Sequence, residues 1–196
     1  MKVILVRHGQ TEENMKRIMQ GVGTGTLSDL GREQARKVAE KLKDEKIDVI
    51  YSSDLKRAIN TAKEIQKFHN VDLISEEGLR EQNLGCYEGG PIDDYREDVR
   101  GLGDSWSDFK PEGGESKKEL LARVAEVFER ITEENEDKNI VFVSHGGSLF
   151  SLMHHIKCET MNEHSEYWHS NTGVTYLEKE GDKWNIVKYN DTEHLE

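Results

Sequence analysis

Apolar positions fall along this chain in two alternating rhythms. Short runs rich in Val, Ile and Leu, at Lys2–Val6, Asp48–Tyr51, Val71–Ile74 and Asn139–Val143, read as buried strands. Between them the spacing turns helical. In Gly31–Lys43, the residues Ala35, Val38, Ala39 and Leu42 recur at i, i+3, i+4 and i+7. In Ser116–Glu134, a second stripe runs through Leu120, Leu121, Val124, Val127, Phe128 and Ile131, and Ser116 with Glu119 at capping-box spacing marks where that helix begins. A third helix is expected from a Ser53-Asp54 cap to about Phe68. Two late strands, Gly173–Glu178 and Trp184–Tyr189, flank Glu180-Gly181-Asp182, an antiparallel hairpin turn. The pattern predicts an α/β fold: a three-layer α/β/α sandwich with a mostly parallel central sheet and a late antiparallel hairpin.

No repeat, low-complexity tract or Pro/Gly linker divides the chain, so residues 1–194 are expected to form one domain. Residues 86–112 have weak periodicity, several aromatics and eight acids against three bases, and read as an insertion or lid over a site. Leu195-Glu196 is the kind of pair a cloning remnant leaves, and no structural role is expected of it.

Two of the buried strands end in the same unusual way. Val3–Val6 runs into Arg7-His8-Gly9, and Asn139–Val143 runs into Ser144-His145-Gly146-Gly147. Arg and His are costly to bury without compensation, and the carboxyl ends of strands are where open α/β sheets bind ligands. Either histidine alone reads as a structural residue; the pair in one context points to an anion site. Arg57 adds a guanidinium fork at a helix start, just after the strand ending at Tyr51. Charge narrows the partner. The chain carries 39 acidic and 27 basic side chains, a formal net charge of −12, with no Lys/Arg-rich block, so nucleic acid is not the expected anion. No run approaches ~18 apolar residues, the N-terminal run is too short for a signal peptide, and Cys86 and Cys158 stand apart, which predicts a cytoplasmic protein with no membrane partner and no disulfide.

Arg7-His8-Gly9-Gln10-Thr11 with Asn14 resembles the RHGxTxxN signature of the histidine phosphatase superfamily, the phosphoglycerate-mutase-like proteins. Further matches follow in family order: Leu27–Ala35, Tyr51–Ala58, Leu79-Arg80-Glu81, Gly113–Ser116 and Ser144–Gly147. This resemblance implies that His8 is a nucleophile forming a phosphohistidine, held in a neutral tautomer by a backbone carbonyl. It implies that Arg7, Arg57 and His145 surround the phosphoryl oxygens, joined by Asn14, Gln20 and backbone N–H groups near Gly146. Glu81 would protonate the leaving oxygen and later take a proton from water, a job suited to a carboxyl of raised pKa. Neither metal nor other cofactor is implied, and the partner would be a small phosphomonoester.

Some residues depart from the pattern. The stretch Gly21–Ser28 lacks the family's Trp, Asp and Pro, so that wall of the pocket is expected to be smaller and more mobile. His154 and Cys158 have helical spacing that zinc ligands use, with His155, His164 and His169 nearby, but no repeated ligand pair completes a site, so no metal is expected. Three functions fit the family: a phosphomonoesterase, a 2,3-bisphosphoglycerate-dependent phosphoglycerate mutase, and a non-catalytic phosphate-binding regulatory protein. The presence of both His8 and Glu81 disfavours the last. The net −5 of residues 86–112 disfavours a second phosphate plus a carboxylate, which leaves the phosphomonoesterase as the expectation. Tyr87, Tyr95, Trp106 and Phe109 could pack on a sugar or heterocycle, or equally on one another.

Overall fold

The computed structural model describes residues 1–161 and 166–196, with Asp104 described by its backbone alone. Six strands form one sheet: β1 (Lys2–Arg7), β2 (Val49–Ser52), β3 (Leu73–Ser75), β4 (Ile140–Ser144), β5 (Val174–Glu180) and β6 (Lys183–Asp191). Their spatial order is β3-β2-β4-β1-β5-β6. The first four run parallel and β5 runs antiparallel to both its neighbours. The helices are α1 (Glu12–Met15), α2 (Asp29–Leu42), α3 (Lys56–Gln66), α4 (Ile92–Val99), α5 (Lys117–Glu134) and α6 (Gly146–Lys157). Among the described residues no helix is long and apolar enough to cross a membrane.

The strand runs are apolar on consecutive positions because the sheet is covered on both faces. Val3 and Leu5 of β1 pack with Phe142 of β4 against Leu120, Phe128, Leu149 and Met153 of α5 and α6. Ile4 and Val6 point the other way, joining Val141 and Val143 against Val38, Leu42, Ala62 and Ile65 of α2 and α3. These are the two outer layers expected of the sandwich, and α5 starts at Ser116 with the capping box its sequence predicts.

Three boundaries differ from expectation. The helix after β2 begins at Lys56 rather than at a Ser53-Asp54 cap. Both would-be capping groups are committed elsewhere: Asp54 Oδ1 accepts from Arg80 Nε at 2.7 Å and Ser53 Oγ bonds the His145 ring at 2.8 Å. β3 is shifted to Leu73–Ser75, pairing Leu73 with Ile50, while Val71 turns its carbonyl to Gln66 Nε2. Residues 86–112 are more ordered than an unpatterned insertion suggests. They contain α4 and a 3₁₀ turn at Gly103–Asp108, and Tyr95, Val99 and Trp106 form an apolar cluster with Leu84 and Phe150. The aromatics there pack on one another, with Tyr87 and Tyr95 edge-on at 5.3 Å and Trp106 against Phe150 at 6.0 Å.

Strand register brings the two His-Gly turns together. Arg7 pairs with Ser144 at the last step of the β1–β4 ladder, and the His8 amide donates to the Ser144 carbonyl at 3.0 Å. The turn after His8 is then pinned from outside. Gly9 N–H donates to Thr61 Oγ1 at 3.1 Å, and Ser28 N–H, at the start of α2, donates to the Gln10 carbonyl at 3.0 Å. A β-carbon on Gly31 would collide with that Gln10 carbonyl, and one on Gly9 would collide with the Gly31 carbonyl. Gly31→Ala is therefore expected to cost about 1–3 kcal/mol, the scale of overpacking a tight contact, read as a lower urea midpoint at unchanged slope. A midpoint equal to that of the parent would show that the turn can give way.

Candidate active site

His8, Arg7, Asn14, Gln20, Arg57, Glu81 and Gly146 all line one cavity of about 540 Å³ at the carboxyl ends of β1 and β4. His8 is 3% exposed, and its Nδ1–H donates to the Gly9 carbonyl at 2.7 Å. A carbonyl can only accept, so the proton sits on Nδ1 and the lone pair on Nε2. Among the described residues Nε2 has no protein hydrogen bond. Burial pushes the imidazole well below its ordinary pKa of 6.5, and the charges of Arg57 and Arg7 push the same way.

The arginines are held in different ways. Arg57 is 1% exposed and is anchored at three points: Nε to His145 Nδ1 at 3.1 Å, one terminal nitrogen to the Gly23 carbonyl at 3.0 Å, the other to the Gly21 carbonyl at 2.6 Å. Those two carbonyls, with Val22 N–H on Glu88 Oε1 at 2.9 Å, tie down the glycine-rich wall that the sequence suggested would be loose. Arg7 donates to the His169 carbonyl at 2.6 Å, while its buried Nε has no partner among the described residues. A buried donor of this kind beside His8 can serve an anion entering the cavity. Gln20 Oε1 is likewise buried without a partner. Asn14 caps α1 through its Oδ1, which accepts from Thr11 N–H at 3.1 Å, so its amide N–H groups remain for donation.

His145 stands one step back from where the resemblance puts it. Its Nδ1 accepts from Arg57, so its proton is on Nε2, which donates to Ser53 Oγ at 2.8 Å. Both ring nitrogens are thus engaged by protein, and the residue acts on the cavity by orienting Arg57. Burial, with Arg57 and His8 as the next causes, holds this imidazole too well below the ordinary value.

Glu81 reaches the cavity on a segment clamped from three sides. Ser144 Oγ donates to the Leu79 carbonyl at 2.8 Å, and Ser148 Oγ to the Arg80 carbonyl at 2.7 Å. Arg123 donates to the carbonyls of Gly78, Arg80 and Glu81, and is itself ion-paired with Glu115. The carboxylate accepts from Gly147 N–H at 2.9 Å and Gln82 N–H at 2.9 Å. Gly146 and Gly147 allow these close approaches. A β-carbon on Gly146 would sit 3.3 Å from the Arg7 guanidinium carbon, and one on Gly147 would collide with Glu81 Oε1.

Sequence reasoning missed several residues of this arrangement. Ser53, Arg123 and Ser148 act through hydrogen bonds across long sequence separations, which no local pattern encodes. Asn171 Nδ2 donates to the His8 carbonyl at 3.0 Å, from a loop before β5 that carries no motif. Lys117 lines the cavity and was masked by its place in a charged helix start. Near the suggested zinc ligands, His155 bonds Glu129, His169 bonds Thr175 Oγ1 at 2.8 Å and Cys158 is an exposed left-handed C-cap; His164 lies outside the described residues. Among the described residues no group of three His, Cys, Asp or Glu is placed to hold a metal ion.

The two imidazoles set a pH dependence. Both are neutral in the fold but take protons below about pH 6.5 in the unfolded chain, so their contribution to stability is complete above that pH and declines as pH falls below it. Imidazole NMR signals of His8 and His145 are expected to show no titration step between about pH 5.5 and 8 in the ligand-free protein, and a step near 6.5 for either would contradict their neutral burial.

The histidine phosphatase superfamily (branch 1) model matches residues 3–192. Phosphoglycerate mutase-like protein 4 of Arabidopsis thaliana is 35% identical over 206 residues, covering 100% of this chain and 87% of that protein. Phosphoserine phosphatase 1 of Hydrogenobacter thermophilus is 31% identical over 203 residues, covering 100% of this chain and 94% of that protein. Among solved structures, Bacillus stearothermophilus YhfR superposes with a TM-score of 0.91 at 28% identity, covering 100% of this chain and 99% of its own. With His8, the buried arginines and Glu81 in one cavity and His145 directly behind it, these likenesses make the chain a member of the histidine phosphatase superfamily and a phosphoric monoester hydrolase of that type.

Proposed function

We propose that the chain hydrolyses a small phosphorylated metabolite without a metal, through a phosphohistidine on His8 Nε2, with Glu81 as general acid and then general base. The observation that carries this reading is the His8 imidazole itself: neutral, with Nε2 unshared by protein, between two buried guanidiniums in the cavity that Glu81 also lines.

In the first half, the Nε2 lone pair attacks phosphorus in line and the ester P–O bond breaks. The departing oxygen takes the proton of the Glu81 carboxyl, and Nδ1–H on Gly9 stabilises the cation formed on the ring. In the second half, Glu81 takes a proton from water, the resulting hydroxide attacks phosphorus, and the P–N bond breaks to release phosphate. Arg7 and Arg57 favour the charge that spreads over the equatorial oxygens, and Asn14, Gln20 and the Gly146 N–H lie on the same wall. Residues 86–112 form the cover, with Tyr95, Val99 and Trp106 as its inner surface.

Phosphate release by EDTA-treated protein from a panel of monophosphates, including p-nitrophenyl phosphate, is the test. Release without metal is expected; interconversion of 3- and 2-phosphoglycerate with no release would establish the mutase reading instead. His8→Ala should abolish turnover yet keep the fold and most of the phosphate-induced rise in Tm, and full activity in that variant would end the assignment. Glu81→Gln should slow alkyl phosphates by about 10²–10⁴-fold and aryl phosphates far less, since a good leaving group does not need the proton. Gly147→Ala, which displaces the Glu81 carboxyl, should show the same dependence on leaving group in weaker form; an equal loss on both ester classes would argue against the acid role.

A further inference from the structure

Lys117 is the first residue of α5 and is 6% exposed, yet no carboxylate among the described residues lies within salt-bridge distance of it. It makes no hydrogen bond there either. Its ammonium group approaches the Trp168 ring only distantly, 5.8 Å from the centroid. It lines the same cavity as His8 and Glu81. Its place within that cavity is fixed by Gly147, because a β-carbon built there would lie 3.0 Å from Lys117 Nζ while colliding with Glu81 Oε1. Arg7 packs against the preceding glycine instead. The ammonium therefore stands beside Glu81, the group that serves the departing oxygen, one residue along α6 from the glycine that Arg7 packs against.

A buried cation needs an anion, and the protein supplies an incomplete one. Desolvation disfavours the Lys117 charge, and the charges of Glu81 and Glu115 favour it. Once Glu81 carries the proton it must donate, its share of that support is withdrawn at the moment the ester is in place, leaving only the weaker effect of Glu115. The missing charge then has to come from the substrate.

We infer that Lys117 is a specificity-determining residue that receives a carboxylate on the leaving group, so that this site selects phosphate esters of hydroxy acids over those of neutral alcohols. The inference rests on the reading of His8 and Glu81 given above. A carboxylate fits better than a second phosphate: one ammonium matches a monoanion, and although the cover brings Arg96 to the cavity wall, its net charge of −5 opposes a dianion. Three donors on a flexible stem also suit a group whose position varies from ester to ester.

Matched substrate pairs isolate the carboxylate. O-phosphoserine differs from O-phosphoethanolamine, and 3-phosphoglycerate from glycerol 3-phosphate, chiefly by that group. In the parent protein kcat/KM is expected to favour the carboxylated member of each pair. In Lys117→Met that preference should shrink by about ten- to a hundred-fold, the scale of a hydrogen bond to a charged group, with the loss in KM rather than kcat. Lys117→Gln, which keeps polarity without charge, should behave alike, and Tm measurement establishes that both variants fold. If both members of a pair fell together through kcat, Lys117 would be acting through Glu81 and the inference would fail. It would fail equally if the parent showed no preference, or if 2,3-bisphosphoglycerate were the ester most sensitive to the substitution. Absence of release from every ester in the parent would instead overturn the phosphatase reading beneath it.

Discussion

In the parallel pairing of β1 with β4, Arg7 lies opposite Ser144, and this register decides which side chains can meet. The next residue on each strand is a histidine, so both imidazoles emerge at one edge with ring centroids 5.2 Å apart. β2, paired to β4 on its other side, ends at the same level and supplies Ser53 to one ring. A shift of one residue along either strand would part Arg7 from Ser144 and exchange the side chains packed against α5 and α6 with those packed against α2 and α3. The apolar core thus sets where the two imidazoles stand, because the packing several residues away fixes the register that brings them together.

Electrostatically the site is a positive hollow in a negative protein. The chain has a net charge of −12, yet its cavity is lined by Arg7, Arg57, Arg96 and Lys117, with Glu81 as the acid among the described lining residues. The acids that ring the molecule are screened by water and contribute little at the cavity floor. Buried donors there keep nearly their full reach in low dielectric. Specificity for anions therefore comes from depth rather than from overall charge.

Much of this could be read from the chain. The β-branched runs, the two helical stripes and the hairpin turn yield the sheet and its layers, because burial on one or two faces leaves a period in the sequence. His8, Arg57 and Glu81 were legible through their order along the chain. What periodicity cannot show is which polar atoms are claimed by others. Ser53 reads as a helix cap and serves an imidazole; His145 reads as a phosphate ligand and orients an arginine. Lys117 reads as one more surface charge because its neighbour Lys118 is one. Nor does the net acidity of residues 86–112 show that Arg96 within them and Lys117 just beyond them both face the cavity.

Arg57 grips the Gly21–Gly25 wall through main-chain carbonyls alone. Such bonds are indifferent to the side chains of the residues that provide them. Glycine is required at Gly21, where φ is +50° and a β-carbon would meet Glu88, and at Gly25, where it would meet Gln20. Val22 and Thr24 carry no comparable duty. Val22 and Thr24 are thus free to diverge without loosening the arginine, so the spacing of the glycines, and not the identity of the residues between them, is what this wall must keep through mutation.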